Sequence, residues 1–162
     1  MMHRLRHLLL LAIPLWLILV STGRSSAQYG PFYGANMILV GTSYADKEAH
    51  QLISQVLTQE TINHAIDNGL VTFQVVATSP ATGKELLYDC SMRVQAGLVK
   101  LTGRLRNEQA GTSQARLPEA GFIPIAYTKE KTSHQRLGFT YLDEVAKKVQ
   151  SALQGVIIYK SE

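Results

Sequence analysis

The sequence predicts an α+β domain: a two-layer sandwich in which a mostly antiparallel sheet of four to six strands carries two amphipathic helices on one face. Three observations predict it. Residues 85–94 alternate with a period of two, setting Leu86, Tyr88, Cys90, Met92 and Val94 against Glu85, Leu87, Asp89, Ser91 and Arg93, which is the pattern of a strand with one buried side. Two stretches instead space their apolar residues by three and four, at 49, 52, 53, 56, 57 and at 142, 145, 146, 149, 153, the signature of helices with one buried stripe. Several other runs are rich in β-branched residues and end in Gly, Asn or Pro, as strands joined by short turns do.

The elements follow in order. Gln28–Ala35 is a flexible aromatic lead-in containing QYGPFYG, and the folded domain spans 36–162. Asn36–Thr42, with its MILV run, is a first strand. Ser43-Tyr-Ala-Asp46 then fits a capping box, in which the serine oxygen accepts an orphan amide of the first turn. The helical stripe from Ala49 is displaced around the axis at Ile62, Ala65 and Ile66, so a bend or a new short helix is expected near Thr61, with Asn68-Gly69 as its stop. Leu70–Thr78 is a strand, Ser79–Gly83 a turn, and 85–94 the return strand. Gln95-Ala-Gly97 turns the chain into Leu98–Arg106, completing a three-stranded antiparallel meander.

Asn107–Gly121 has no hydrophobic period and reads as a long surface loop. Phe122–Tyr127 is an edge strand, because Pro124 lacks the amide that a central strand needs. Thr128–Gly138 is a second polar loop. A capping box at Thr140–Asp143 opens the last helix, Gly155 stops it, and Val156–Tyr159 is a terminal strand that removes four apolar residues from water.

Ahead of the domain lies an export signal. Arg4 and Arg6 form a positive head, Leu8–Val20 is a thirteen-residue uncharged stretch, and Ser25 and Ala27 stand at the −3 and −1 positions of a peptidase site. A helix crossing a bilayer core needs roughly 20 apolar residues, so residues 1–27 are expected to be cleaved. The alternative is an inner-membrane anchor formed by residues 8–20. Removal of Arg4, Arg6 and Arg24 leaves thirteen Lys/Arg against twelve Asp/Glu, so the basic balance of the whole chain belongs largely to targeting and is no nucleic-acid footprint. A lone cysteine forms no intrachain disulfide, and no Asn-x-Ser/Thr site occurs, which agrees with a bacterial periplasm or secretion into the medium.

Local motifs for chemistry are absent. Cys90 shares its strand face with apolar neighbours and is expected to be an inert core thiol, the alternatives being an intermolecular disulfide or a nucleophile. His50, His64 and His134 have no ligand spacing, so no metal site and no cofactor are expected. No Gly-x-Ser-x-Gly elbow, phosphate-cradling glycine loop or calcium loop is present, and no catalytic residue is assigned.

Residues suited to contact stand out more. Tyr29, Phe32, Tyr33, Phe122 and Tyr127 are candidates for binding a partner. Lys129, Lys131 and Arg136 form a basic loop that suits anionic lipid or polysaccharide less strongly. The expectation is an exported non-enzymatic accessory or assembly subunit that binds another envelope or surface protein, with self-association as a variant. The alternatives are a small secreted hydrolase whose site is assembled around 107–121 with Asp89 and His134, and a periplasmic small-ligand-binding module.

Overall fold

The computed structural model describes residues 30–106 and 122–162. Seven strands and two helices run in the order β1 (Met37–Gly41), α1 (Asp46–Gln59), β2 (His64–Asp67), β3 (Leu70–Thr78), β4 (Glu85–Gln95), β5 (Leu98–Arg106), β6 (Phe122–Pro124), α2 (His134–Leu153) and β7 (Ile157–Lys160). The strands form one sheet in the order β2-β3-β4-β5-β1-β7, every pairing is antiparallel, and both helices cover the same face. The α+β two-layer expectation is met, with one strand more than expected. β6 joins β5 at Arg104–Arg106, beyond the Leu98–Leu101 stretch that β1 occupies, so both lie along the side of β5 that β4 leaves open.

The meander forms because its turns dictate it. Ala96 and Gly97 have φ of 50° and 76°, and Asn68 and Gly69 have φ of 47° and 77°. Two successive left-handed residues make the tight hairpin turn whose twist matches the flanking strands. The second of these turns overturns one expectation. The segment beyond Thr61 is neither a bent nor a new helix: α1 ends at Gln59, and His64–Asp67 pairs with β3. The displaced apolar positions at 62, 65 and 66 were a change of period, and Asn68-Gly69 is a hairpin turn and not a helix stop.

Two helix starts also differ. α1 has Ala45 as its N-cap with no side-chain bond, Ser43 lies outside it, and the Asp46 carboxylate instead accepts from the Ala96 amide at 3.4 Å. α2 begins six residues before the expected box. Ser133 is its N-cap, its Oγ accepting from the Arg136 amide at 3.2 Å. Thr140 therefore lies inside the helix, where its hydroxyl donates to the Arg136 carbonyl at 2.9 Å. Gly138 permits this early start. A Cβ there would stand 2.4 Å from the Tyr88 ring, so only a bare backbone lets the helix cross that ring. The Tyr88 hydroxyl then donates to the His134 carbonyl at 2.8 Å.

At its other end α2 is stopped by Gln154, left-handed at φ 50°, and not by Gly155. Gly155 has a packing role: a Cβ on it would meet the Gly41 carbonyl oxygen at 1.7 Å, so β7 enters the sheet against bare backbone.

The core lies between sheet and helices. α1 contributes Ala49, Ile53, Val56 and Leu57, and α2 contributes Phe139, Leu142, Val145, Ala146, Val149 and Leu153. They pack on Ile38, Val40, Val71, Phe73, Tyr88, Cys90, Met92, Val99 and Leu101 of the sheet. Full burial of side chains such as Phe139 or Leu142 contributes about 1.5–3 kcal/mol each before conformational entropy is subtracted. The opposite sheet face has no covering layer among the described residues, and none of the helices described there is long and apolar enough to cross a membrane. The export signal expected at 1–27, Tyr29 and the loop expected at 107–121 lie outside the described residues.

Candidate functional site

One end of the sandwich collects most of the contact residues expected from sequence. After β6 the chain continues beside the lead-in: the Gly34 amide donates to the Tyr127 carbonyl at 2.9 Å, and the Tyr127 amide donates to the Ala35 carbonyl at 2.8 Å. The lead-in is therefore clamped from Gly34 onward. Its turn, closed by the Ala35 amide on the Phe32 carbonyl at 3.0 Å, presents Tyr33 to the Tyr127 ring. The two rings stack with centroids 5.8 Å apart and planes 25° apart.

Cations flank this pair. The Arg136 guanidinium carbon lies 3.3 Å from the Tyr127 ring centre, and the Lys129 nitrogen lies 5.9 Å from that of Tyr33. Arg136 is held from behind. Its Nη1 donates to the Thr128 carbonyl at 2.5 Å and its backbone amide is taken by Ser133, whose hydroxyl also meets that of Thr128 at 2.5 Å. Tyr127 in turn rests edge-on against buried Phe139 at 5.7 Å, and Phe139 meets Tyr159 at 6.3 Å. The outer rings are thus anchored by a row of aromatics running into the core. Tyr33 remains 61% exposed and Phe32 48%.

The structure brings Phe32, Tyr33, Tyr127, Lys129 and Arg136 to this platform. It does not bring Phe122, which lies on the uncovered face with the Arg104 guanidinium 4.0 Å from its ring centre. Lys131 is exposed on the same loop as Lys129.

Groups capable of catalysis are scattered. Cys90 is buried, and that burial, helped by the nearby Asp89 charge, pushes its thiol up to about 12, the reverse of what a nucleophile needs. Burial, then Tyr141 and Cys90, likewise raises Tyr88 to about 12. Tyr159 is raised further, by burial first and then by its 2.7 Å bond to the buried Asp143 carboxylate, which also pairs with Lys147 at 2.8 Å. Asp89 and His134 stand on opposite sides of the sheet. Asp89 is held on the uncovered face by Gln74 at 3.0 Å and by Arg106 at 2.7 and 3.1 Å, whereas the His134 ring meets buried Ser79 at 3.4 Å. No group of three His, Cys, Asp or Glu side chains placed for a metal occurs among the described residues.

One arrangement was not visible in the sequence. The Ser54 hydroxyl meets His64 Nε2 at 2.7 Å, and His64 Nδ1 faces the Ile62 carbonyl at 3.1 Å. A carbonyl only accepts, so Nδ1 carries the proton and Nε2 accepts from Ser54. The pair joins α1 to β2, elements that sequence reading had merged into one helical region.

A hollow of about 1510 Å³ is bounded by Gln74, Ser91 and Arg104 on the uncovered face and by Phe73, Cys90 and Val145 on the helix side. Its walls belong to two surfaces of the sheet and do not converge on one chamber. No known family model matches the chain, and no curated protein matches it in sequence.

Proposed function

We propose that this chain is an exported, non-enzymatic accessory or assembly subunit that docks another envelope protein through the platform of Phe32, Tyr33, Tyr127, Lys129 and Arg136. The observation that carries the reading is the fixed exposure of two large rings beside two cations. Protein interfaces concentrate their binding energy in Tyr, Trp and Arg anchors, because rigid amphipathic rings bury much area and lose little rotamer entropy. Here the anchors are already ordered: Tyr33 is stacked, Arg136 is tied to Thr128, and Tyr127 is braced by Phe139. Pre-ordering lowers the cost of association. The signal at 1–27 supplies the compartment in this reading.

The test is a photo-crosslinking residue placed at position 33, and separately at 32, in the full chain in producing cells. One discrete envelope protein should be captured from both positions and not from Gln51, an exposed residue of α1. Tyr33→Ala should weaken binding of that protein by roughly 30-fold, the scale of a central aromatic anchor. Capture from Gln51 equal to that from Tyr33, or no adduct at either ring, overturns the proposal.

A second reading, a small hydrolase, has one observation in its favour: Ser54 and His64 have the hydrogen-bond polarity of a nucleophile and its base. Labelling of Ser54 by a fluorophosphonate probe, lost in His64→Ala, would support it. Absence of labelling in the folded protein would remove it.

A further inference from the structure

We propose a second binding surface, on the uncovered sheet face around Arg93 and Lys100, whose occupant is an acidic segment of a polypeptide. The register places these two cations directly opposite one another on neighbouring strands, with Leu39 and Ile158 continuing the same row across β1 and β7. Like charges facing each other across a strand pair destabilise a sheet. Glu162 pairs with Lys100 here, and Arg93 faces that pair with no carboxylate of its own among the described residues.

The cations continue along β5. Lys100, Arg104 and Arg106 occupy its uncovered side, with Thr102 between the first two, and Lys160 lies at the β7 edge of the face. A strand rises about 3.3 Å per residue, so successive side chains on that face are about 7 Å apart, the spacing of alternate residues in an extended acidic peptide. The face is already built for carboxylates. Arg106 grips Asp89 through two nitrogens, and Lys100 pairs with Glu162. Those two pairs leave Arg93, Arg104 and Lys160 without a carboxylate partner among the described residues.

Ser91 and Thr102, hydrogen-bonded at 3.1 Å in the row beside Arg93 and Lys100, add hydroxyls suited to carboxylate oxygens or peptide groups. Apolar residues border the cations, Leu98 at 44% and Ile158 at 48% exposure. That mixture favours a polypeptide, which brings apolar side chains with its carboxylates, over a uniformly charged chain.

The experiment measures binding of fluorescein-labelled hexaglutamate, with hexaglutamine, a heparin oligosaccharide and a single-stranded oligonucleotide as comparisons, by anisotropy on the purified protein. Hexaglutamate should bind, hexaglutamine should not, and affinity should fall as salt rises because the face is open to screening. Arg93→Gln should weaken binding by about fivefold and Arg93→Glu by more, whereas Lys131→Glu, the same charge reversal on the platform loop, should leave it intact. The inference is overturned if hexaglutamate binds no better than hexaglutamine, if the heparin or oligonucleotide binds and hexaglutamate does not, or if Arg93→Glu and Arg93→Gln bind like the parent. Because none of these readings touches Tyr33, they stand or fall separately from the platform.

Discussion

Gly155→Ala is the substitution on which the account of the fold makes its strongest demand. The added methyl would lie 1.7 Å from the Gly41 carbonyl oxygen, 2.9 Å from its carbon and 3.2 Å from a Val40 methyl. The obstacle is backbone on the neighbouring strand, so no side-chain rotation relieves it, and β7 must move away from β1 by more than an ångström. The Gly41 amide now donates to the Val156 carbonyl at 2.9 Å. Displacement on that scale takes it outside hydrogen-bonding range. Leaving a partly buried backbone pair unmade costs about 1–3 kcal/mol, and forcing a methyl into a packed site costs about 1–3 kcal/mol more. The expected loss is therefore about 2–6 kcal/mol, a large share of the roughly 5–15 kcal/mol that holds a domain of this size together. Urea unfolding followed by far-ultraviolet circular dichroism reads it directly. With a slope of about 1–3 kcal/mol per molar, the midpoint should fall by about 0.7 M or more. Gly30→Ala is the control, since a Cβ there meets nothing within 4 Å. A Gly155→Ala midpoint within about 0.3 M of the parent would refute the packing argument for β7.

Two further predictions concern the helix start and the buried acids. Ser133→Ala removes the side-chain N-cap of α2 and one end of the Thr128 contact that steadies the platform loop, so it should cost about 1 kcal/mol in the same urea assay and loosen Arg136 from Tyr127. Cys90 and Tyr88 hold their protons more tightly in the folded protein than in the unfolded chain, where their ordinary values are 9.0 and 10.0. Between those values and about 12 the native state binds more protons than the unfolded one. Stability therefore falls as pH rises through that window and is unaffected by these groups below it. Urea midpoints should be level near pH 8 and drop by pH 10.5, and iodoacetamide should leave the native Cys90 thiol unmodified at pH 8 while labelling the urea-unfolded chain. Rapid labelling of the native thiol would show that the β4 face is not sealed.

Much of this architecture was legible because periodicity and turn chemistry are local. The β4 alternation assigned Tyr88, Cys90, Met92 and Val94 to the core, and all four are buried. The stripe at 142–153 did the same for α2. Failures occurred where a local signal had two readings. Asn-Gly ends helices and also makes hairpins, and at Asn68-Gly69 the deciding fact was the pairing of β2 with β3. Ser/Thr-x-x-Asp is a capping box only when the backbone begins a helix there. At 140–143 the helix was already under way, because Ser133 had capped it and Gly138 had let it pass over Tyr88.

The candidate surfaces were less legible for the same physical reason carried further. Tyr33 and Tyr127 were each recognisable as contact residues, but their stacking depends on two backbone hydrogen bonds joining segments more than ninety positions apart. Arg93 and Lys100 are separated by a tight turn, and their confrontation follows directly from the Ala96-Gly97 hairpin register once the loop length is fixed. That register was within reach of the sequence. A two-residue turn closing Gln95 on Leu98 sets 93 against 100, and both residues fall on the face that the helices leave bare. The cationic pair was therefore a consequence of a turn already identified. What sequence alone lacked was the knowledge that no described element covers the second sheet face, and with it the reason to treat the facing charges as a surface and not as two isolated side chains.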